Sequence, residues 1–226
     1  MISFDFTKKI FRKMIHLEDN FFEDPYSVRS SALKSKYSPA YDYTWPGYRS
    51  WDVPDDVSDQ IRSRVRSVVG DSSLDFKHAQ VNNNQSRVYP NSSFQYTTEE
   101  FGDGLFHHDE DLYICIVYLS LDAPSDSGTE ICDGDQGPAY FLDNSPSFSE
   151  VSQLKLSFIE DPSNLIKRYR YVRVRRRLNL LYTPIMKVPN KFNRGIIFPA
   201  HYAHRAQNFF GTSIESARLT SVSFLG

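Results

Sequence analysis

Phe106-His107-His108-Asp109-Glu110-Asp111 runs directly into Leu112-Tyr113-Ile114-Cys115-Ile116-Val117-Tyr118-Leu119. The second half is rich in β-branched and aromatic residues and is followed by Ser120 and Pro124, the composition of a core strand with a turn after it. The first half places metal-capable side chains at what is predicted to be the start of that strand. Residues two apart in a strand point the same way, so His107 and Asp109 are expected on one face and His108 and Glu110 on the other. An imidazole and a carboxylate supply two ligands. The distant Phe198-Pro199-Ala200-His201-Tyr202-Ala203-His204-Arg205 offers two histidines for a third. Two histidines and one carboxylate suit non-haem Fe(II), with coordination positions left open for small molecules.

The expected set is His107, Asp109 and His204, with His204 preferred because it stands at a predicted strand start. His201 competes with it, and His108 with Glu110 forms an alternative pair that chemistry alone does not separate from His107 with Asp109. A lone histidine is usually a hydrogen-bonding surface or core residue; three ligands on the strands of one barrel are a stronger signal.

The carboxyl-terminal run Ser216-Ala217-Arg218-Leu219-Thr220-Ser221-Val222-Ser223-Phe224-Leu225 carries one arginine among apolar and small residues, with Thr220 on the same strand face. A buried guanidinium needs an anion, and its planar fork binds a carboxylate at two points. An internal salt bridge, to Glu130 for example, is the plain alternative.

Composition narrows the rest. The 226 residues suit one domain, and a net charge of -2 with a pI near 6.3 gives no global basic field for nucleic acid or an anionic membrane. Two cysteines, Cys115 and Cys132, are too few for a disulfide framework and read as buried thiols. No apolar run approaches a membrane span, and Lys8, Lys9, Arg12 and Lys13 interrupt the apolar residues near the N-terminus, so a soluble, cytoplasmic protein is expected.

Along the chain, the segment Met14 to Pro25 reads as a short strand leading to an acidic turn. Asp24-Pro25 opens a helix, with Val28 and Leu33 on roughly one side. An aromatic stretch from Tyr37 through Tyr41, Tyr43 and Trp45 to Trp51 reads as a wall packed on the core. Val53-Pro54-Asp55-Asp56 is expected to cap a second helix through Val57, Ile61, Val65 and Val68 to Gly70. Two strand-like runs between Leu74 and Tyr89 flank a turn at Asn82-Asn83-Asn84. Strands are expected over 129–132, 194–198, 204–207 and 217–225. Between them, 150–159 and 163–171 are the helical candidates of an insertion over 133–192. The basic run Lys167 to Arg177 is expected to be a solvated helix or edge strand rather than a nucleic-acid contact.

This pattern predicts a mainly β (α+β) jelly roll with helices packed outside. Residues 1–92 would form N-terminal helices and flanking strands, and 93–132 with 193–226 the core.

The order His107-x-Asp109, then His204, then Arg218-x-Thr220 resembles the 2-oxoglutarate and Fe(II)-dependent oxygenases. That resemblance implies a double-stranded β-helix fold. It implies iron bound by His107, Asp109 and His204, and the distal carboxylate of 2-oxoglutarate gripped by Arg218 with Thr220. Tyr96, upstream of the His-x-Asp pair as in the prolyl-hydroxylase-like branch, is implied as a cosubstrate hydrogen-bond partner. Asp19 to Pro25 with Val28-Arg29, and Trp45-Pro46-Gly47-Tyr48-Arg49-Ser50, resemble the opening of a prolyl-hydroxylase-like subgroup of bacteria and phages. The implied activity is hydroxylation of a substrate by O2, with 2-oxoglutarate converted to succinate and CO2. The alternatives are a non-catalytic jelly-roll binding or structural protein, whose histidines are incidental or bind a structural ion, and a cupin-like metalloenzyme using iron without 2-oxoglutarate. Only the oxygenase reading needs a cation deep in the barrel.

Overall fold

Ile114 to Ser120 is buried at every residue, which a strand allows only at the centre of a sheet covered on both faces. The computed structural model describes residues 14–39, 46–76, 78–80, 88–109, 111–132, 148–161 and 163–226. Tyr41, Tyr43, Trp45, the Asn82-Asn83-Asn84 turn, Glu110 and residues 133–147 of the insertion lie outside them.

In chain order, His16–Asp19 (β1) precedes helix Pro25–Lys34 (α1), the short strands Ser38–Pro39 (β2) and Tyr48–Ser50 (β3), and helix Asp55–Val69 (α2). His78–Gln80 (β4) and Val88–Pro90 (β5) pair with each other. Ser92–Thr97 (β6) follows, then a 3-10 turn over Glu99–Phe101, Tyr113–Tyr118 (β7) and Gly128–Cys132 (β8). Helices Phe148–Glu160 (α3) and Leu165–Asn179 (α4) lead to Pro184–Pro189 (β9), Arg194–Pro199 (β10), His204–Gln207 (β11) and Arg218–Leu225 (β12).

Seven strands form one antiparallel sheet in the order β1-β10-β7-β12-β6-β3-β2, and three form a second, β11-β8-β9. The registers sort the large sheet's side chains into two layers. Cys115, Val117, Ile197 and Leu219 face the helices and pack on Val28, Ala32, Val57, Ile61 and Val65. Ile114, Ile116, Tyr118, Ile196, Phe198, Val222 and Phe224 face the small sheet and meet Ile131 and Val188. Each such side chain contributes about 1.5–3 kcal/mol by leaving water, so neither cover is dispensable. A third cluster packs α3 and α4, through Val151, Phe158 and Tyr171, on Phe101, Leu105 and Phe209.

The helices form for local reasons. Asp24 caps α1 by accepting from the Ser27 N–H at 3.0 Å, with Pro25 in the first turn. In α2, Val57, Ile61 and Val65 recur every fourth residue, and Gly70 ends the helix at φ 79°, a left-handed conformation that suits glycine. The expected acidic cap of α2 is corrected: its N-cap is Pro54, with no side-chain cap bond, and Asp55 and Asp56 lie in the first turn where the helix dipole favours them. α4 runs well past the expected Tyr171. It takes the whole arginine-rich run to Asn179, starting from Asn164, whose Oδ1 accepts from the Ile166 and Lys167 N–H groups. β9, inside the stretch read as an insertion, is the third strand of the small sheet.

Candidate metal centre

His107 and His204 meet across a bridge of two backbone hydrogen bonds. The His107 N–H donates to the His204 carbonyl at 3.2 Å and the His204 N–H to the His107 carbonyl at 3.0 Å. This corrects the expectation of a strand beginning at His107. Regular pairing starts at Tyr113, and His107 forms an isolated bridge to the start of β11. Asp109 is fixed separately, its N–H donating to the Ala200 carbonyl at 3.0 Å. Upstream, the Gly104 N–H donates to the Ala206 carbonyl at 2.8 Å, and a Cβ at Gly104 would collide with that carbonyl. Glycine is required there for the two backbones to lie this close.

The three side chains converge. Asp109 Oδ2 lies 3.3 Å from His204 Nε2 and 3.6 Å from His107 Nε2, and one ligand atom from each residue falls within 4.8 Å of the others. Ligands about 2.0–2.2 Å from one metal lie roughly 3 Å apart, and the two separations from Asp109 come close to that. Each imidazole has its other nitrogen on a carbonyl two residues back: His107 Nδ1 on Leu105 O and His204 Nδ1 on Tyr202 O, both at 2.9 Å. A carbonyl only accepts, so these bonds assign the proton to Nδ1 and leave both Nε2 lone pairs facing Asp109. Burial, then the neighbouring His107, pushes the His204 imidazole down to about 4, which keeps it neutral at physiological pH.

Asp109 Oδ2 is buried and has no hydrogen-bond partner among the described residues. A buried carboxylate oxygen between two nitrogen lone pairs is electrostatically unbalanced until a cation joins it. The donor set, two imidazoles and one carboxylate, fits Fe(II) and leaves further coordination positions.

The competing residues do not converge. His108 turns its Nδ1 to the His201 carbonyl at 2.6 Å, and the His201 side chain is exposed. Glu110 lies outside the described residues.

Arg218 is buried on β12, and the alternative of a salt bridge to Glu130 does not form. Glu130 instead meets Lys187 at 2.7 Å and Arg205 Nη2 at 2.5 Å and Nε at 2.6 Å, a ladder across β9, β8 and β11 on the outer side of the small sheet. No carboxylate of the described residues pairs with Arg218, its Nε has no partner among them, and its guanidinium lies 5.5 Å from the centre of the Tyr118 ring. Burial lowers its pKa, with Tyr118 opposing. Thr220 is fully buried on the same face, its Oγ1 likewise without a partner among the described residues.

Tyr96 is not brought to this face. It pairs with Leu219, between Arg218 and Thr220, and so projects to the helix side, where it stacks on Tyr48 at 4.7 Å. The cosubstrate role expected of Tyr96 is therefore withdrawn. Tyr118, paired with Thr220, does lie on the interior face, and the Tyr118 hydroxyl donates to Thr129 Oγ1 at 2.7 Å. Thr129 pairs with Ala206, two residues along β11 from His204, about 7 Å in strand rise. The Arg218–Thr220–Tyr118 group thus lies deeper in the same intersheet space as the triad.

No family model matches the chain, and no curated protein matches it in sequence. Solved structures do match. SnoK, a non-heme α-ketoglutarate-dependent carbocyclase from nogalamycin biosynthesis, superposes with a TM-score of 0.54 at 12% identity, over 99% of this chain and 83% of its own. HygX from Streptomyces hygroscopicus, solved with nickel, 2-oxoglutarate and hygromycin B, gives 0.54 at 13%, over 100% and 87%. AviO1 from Streptomyces viridochromogenes Tue57 gives 0.51 at 9%, over 98% and 94%.

The fold is a double-stranded β-helix, shared with these three structures. In this double-stranded β-helix the triad stands where β11 meets the segment before β7, and Arg218 opens β12. Among the described residues no helix is long and apolar enough to cross a membrane.

Proposed function

We propose that the protein is an Fe(II)- and 2-oxoglutarate-dependent oxygenase that hydroxylates a substrate still to be identified. The observation that carries this reading is one intersheet space holding two complementary deficits: a half-buried triad short of a cation and a buried guanidinium that no carboxylate of the described residues balances. A dicarboxylate that chelates a metal at one end and meets an arginine at the other satisfies both.

His107, Asp109 and His204 would hold the iron. The carbonyls of Leu105 and Tyr202 keep the two Nδ1 protons, so both Nε2 lone pairs stay available without a proton having to leave. Arg218 would take the distal carboxylate at two points, with the Thr220 hydroxyl as a further donor. Tyr118 limits the guanidinium's movement, and Ile116, Ile131, Phe198 and Val222 exclude water, which strengthens each of these contacts. When bound, iron with 2-oxoglutarate and O2 supplies an oxidant for a substrate C–H bond, yielding hydroxylated product, succinate and CO2. The buried thiols of Cys115 and Cys132 suit the reducing cytoplasm in which this reading places the enzyme.

Differential scanning fluorimetry under anaerobic conditions tests the proposal. 2-Oxoglutarate should raise the melting temperature only when Fe(II) or Mn(II) is present, and only while Arg218 and Asp109 are intact. Equal stabilisation without metal, or none with it, would rule the cosubstrate out.

A further inference from the structure

We infer that Asn179, at the last turn of α4, is a positioning residue for the metal centre, acting on His107 through a single peptide group. The inference rests on the metal-site reading above. Asn179 Oδ1 accepts from the Phe106 N–H at 3.0 Å. That N–H belongs to the same peptide unit as the Leu105 carbonyl, and in a trans peptide the two point in opposite directions. The Leu105 carbonyl accepts the His107 Nδ1 proton at 2.9 Å. The chain of contacts therefore runs from the Asn179 amide, through the 105–106 peptide, to the imidazole whose Nε2 faces Asp109.

The second half of the side chain fixes the first. Asn179 Nδ2 donates to the Gly104 carbonyl at 2.8 Å, so the amide grips the backbone on both sides of Leu105 and cannot rotate without losing both bonds. Both hydrogen bonds are buried, and they span 73 and 75 residues of sequence. Hydrogen bonds in series polarise one another in a low dielectric, so an acceptor on the Phe106 N–H makes the Leu105 carbonyl a better acceptor for His107. A better acceptor at Nδ1 raises the basicity of Nε2 and sets the ring's orientation.

Two further groups of α4 hold the same segment from behind. Arg175 Nη1 donates to the Phe101 carbonyl at 2.7 Å and Arg168 Nε to the Glu100 carbonyl at 3.1 Å. Beyond the helix, Tyr182 stacks on Phe106 at 4.8 Å, and Arg205, next to His204, lies 4.8 Å from the centre of the same ring. The helix formed by the basic run is thus the back wall of the metal centre. Its arginines share the work, and among the described residues of α4 it is Asn179 that reaches the peptide His107 uses.

The test is Co(II) binding followed by its visible ligand-field bands, under anaerobic conditions well below the melting temperature. It compares the wild type with Asn179→Leu, Asn179→Asp and Val151→Ala. Val151 is buried in the same apolar cluster as Leu105 and its side chain makes no hydrogen bond, so its truncation lowers stability while leaving both Asn179 bonds in place. Asn179→Leu should weaken Co(II) binding about tenfold and shift the bands. Asn179→Asp, which retains an acceptor for the Phe106 N–H, should recover most of the affinity, and Val151→Ala should keep wild-type affinity and bands despite a lower melting temperature. Wild-type affinity and bands in Asn179→Leu would overturn the inference, as would losses in Val151→Ala that match those of Asn179→Leu. If Asn179→Leu does not fold, Asn179→Ala, which also removes both bonds, decides: a spectrum shifted no further than that of Val151→Ala, with threefold or greater loss of affinity in neither, contradicts a positioning role. Failure of the wild-type protein to bind Co(II) at all would remove the metal-site reading itself, and the inference with it.

Discussion

Asp109 Oδ2 sits 3.3 Å from His204 Nε2 and has no hydrogen-bond partner among the described residues, although it is buried. Both atoms are lone-pair donors when His204 is protonated at Nδ1, so without metal the contact is repulsive.

Replacing Asp109 should therefore separate stability from binding. Asp109→Asn removes a half-buried charge that no cation of the described residues balances, and the metal-free variant is expected to melt at or above the wild-type temperature. The rise in melting temperature on adding Fe(II) or Co(II) should vanish, as should substrate-linked succinate formation. Metal titration by scanning fluorimetry checks both halves.

Arg218 follows the same logic with the opposite charge. Arg218→Met keeps the volume and removes a buried guanidinium that no carboxylate of the described residues balances, which should leave the cosubstrate-free fold as stable as the wild type or more stable by about 1–3 kcal/mol. Binding of 2-oxoglutarate should weaken by at least about 30-fold, the equivalent of roughly 2 kcal/mol for a desolvated charge pair. Urea melts and an anaerobic titration measure the two effects.

Gly104→Ala tests the close approach of the His107 segment to β11. Its Cβ would overlap the backbone of Ala206, so a loss of about 1–3 kcal/mol is expected, together with weakened metal binding. Gly70→Ala is the comparison. It has open space around it but a φ of 79°, and should cost about 1 kcal/mol with no change in metal affinity.

Acid sensitivity should have an identifiable source away from the site. Arg194 and then Lys191, at 2.6 and 2.7 Å, hold the Asp19 carboxyl well below the usual carboxylate range and tie β1 to the chain around β10. A folded-state pKa below the unfolded value of about 3.9 means the contribution is present above that pH and is lost as pH falls through the folded value. Asp19→Asn should lower the melting temperature at pH 7, and the difference from wild type should shrink steadily below about pH 4. A constant difference across that range would exclude the ion pair as its cause.

The triad was legible because its chemistry is carried by rare residue types in a readable order, and Arg218 because a charge stands out in an apolar strand. Strand parity was harder. Tyr96 and Thr97 are neighbours on opposite faces, and only the pairing of Tyr96 with Leu219 reveals that the tyrosine faces the helices. Tyr118 was hidden as one aromatic in a core run. β9 gave little strand signal, since prolines stand at both of its ends and Lys187 points outward. The extent of α4 was obscured by arginines that mask its buried stripe of Tyr171, Arg175 and Asn179. Asn179 had no local signature at all, because both of its partners are backbone groups more than 70 residues away.

The most direct measurement is an anaerobic optical titration of metal-free protein with Fe(II) and then 2-oxoglutarate, run in parallel on Asp109→Ala and Arg218→Ala. The expected result is a weak visible charge-transfer band that needs both additions, is missing in Asp109→Ala and requires far more 2-oxoglutarate in Arg218→Ala. A folded, metal-loaded wild-type protein that develops no band at saturating 2-oxoglutarate would contradict the oxygenase assignment.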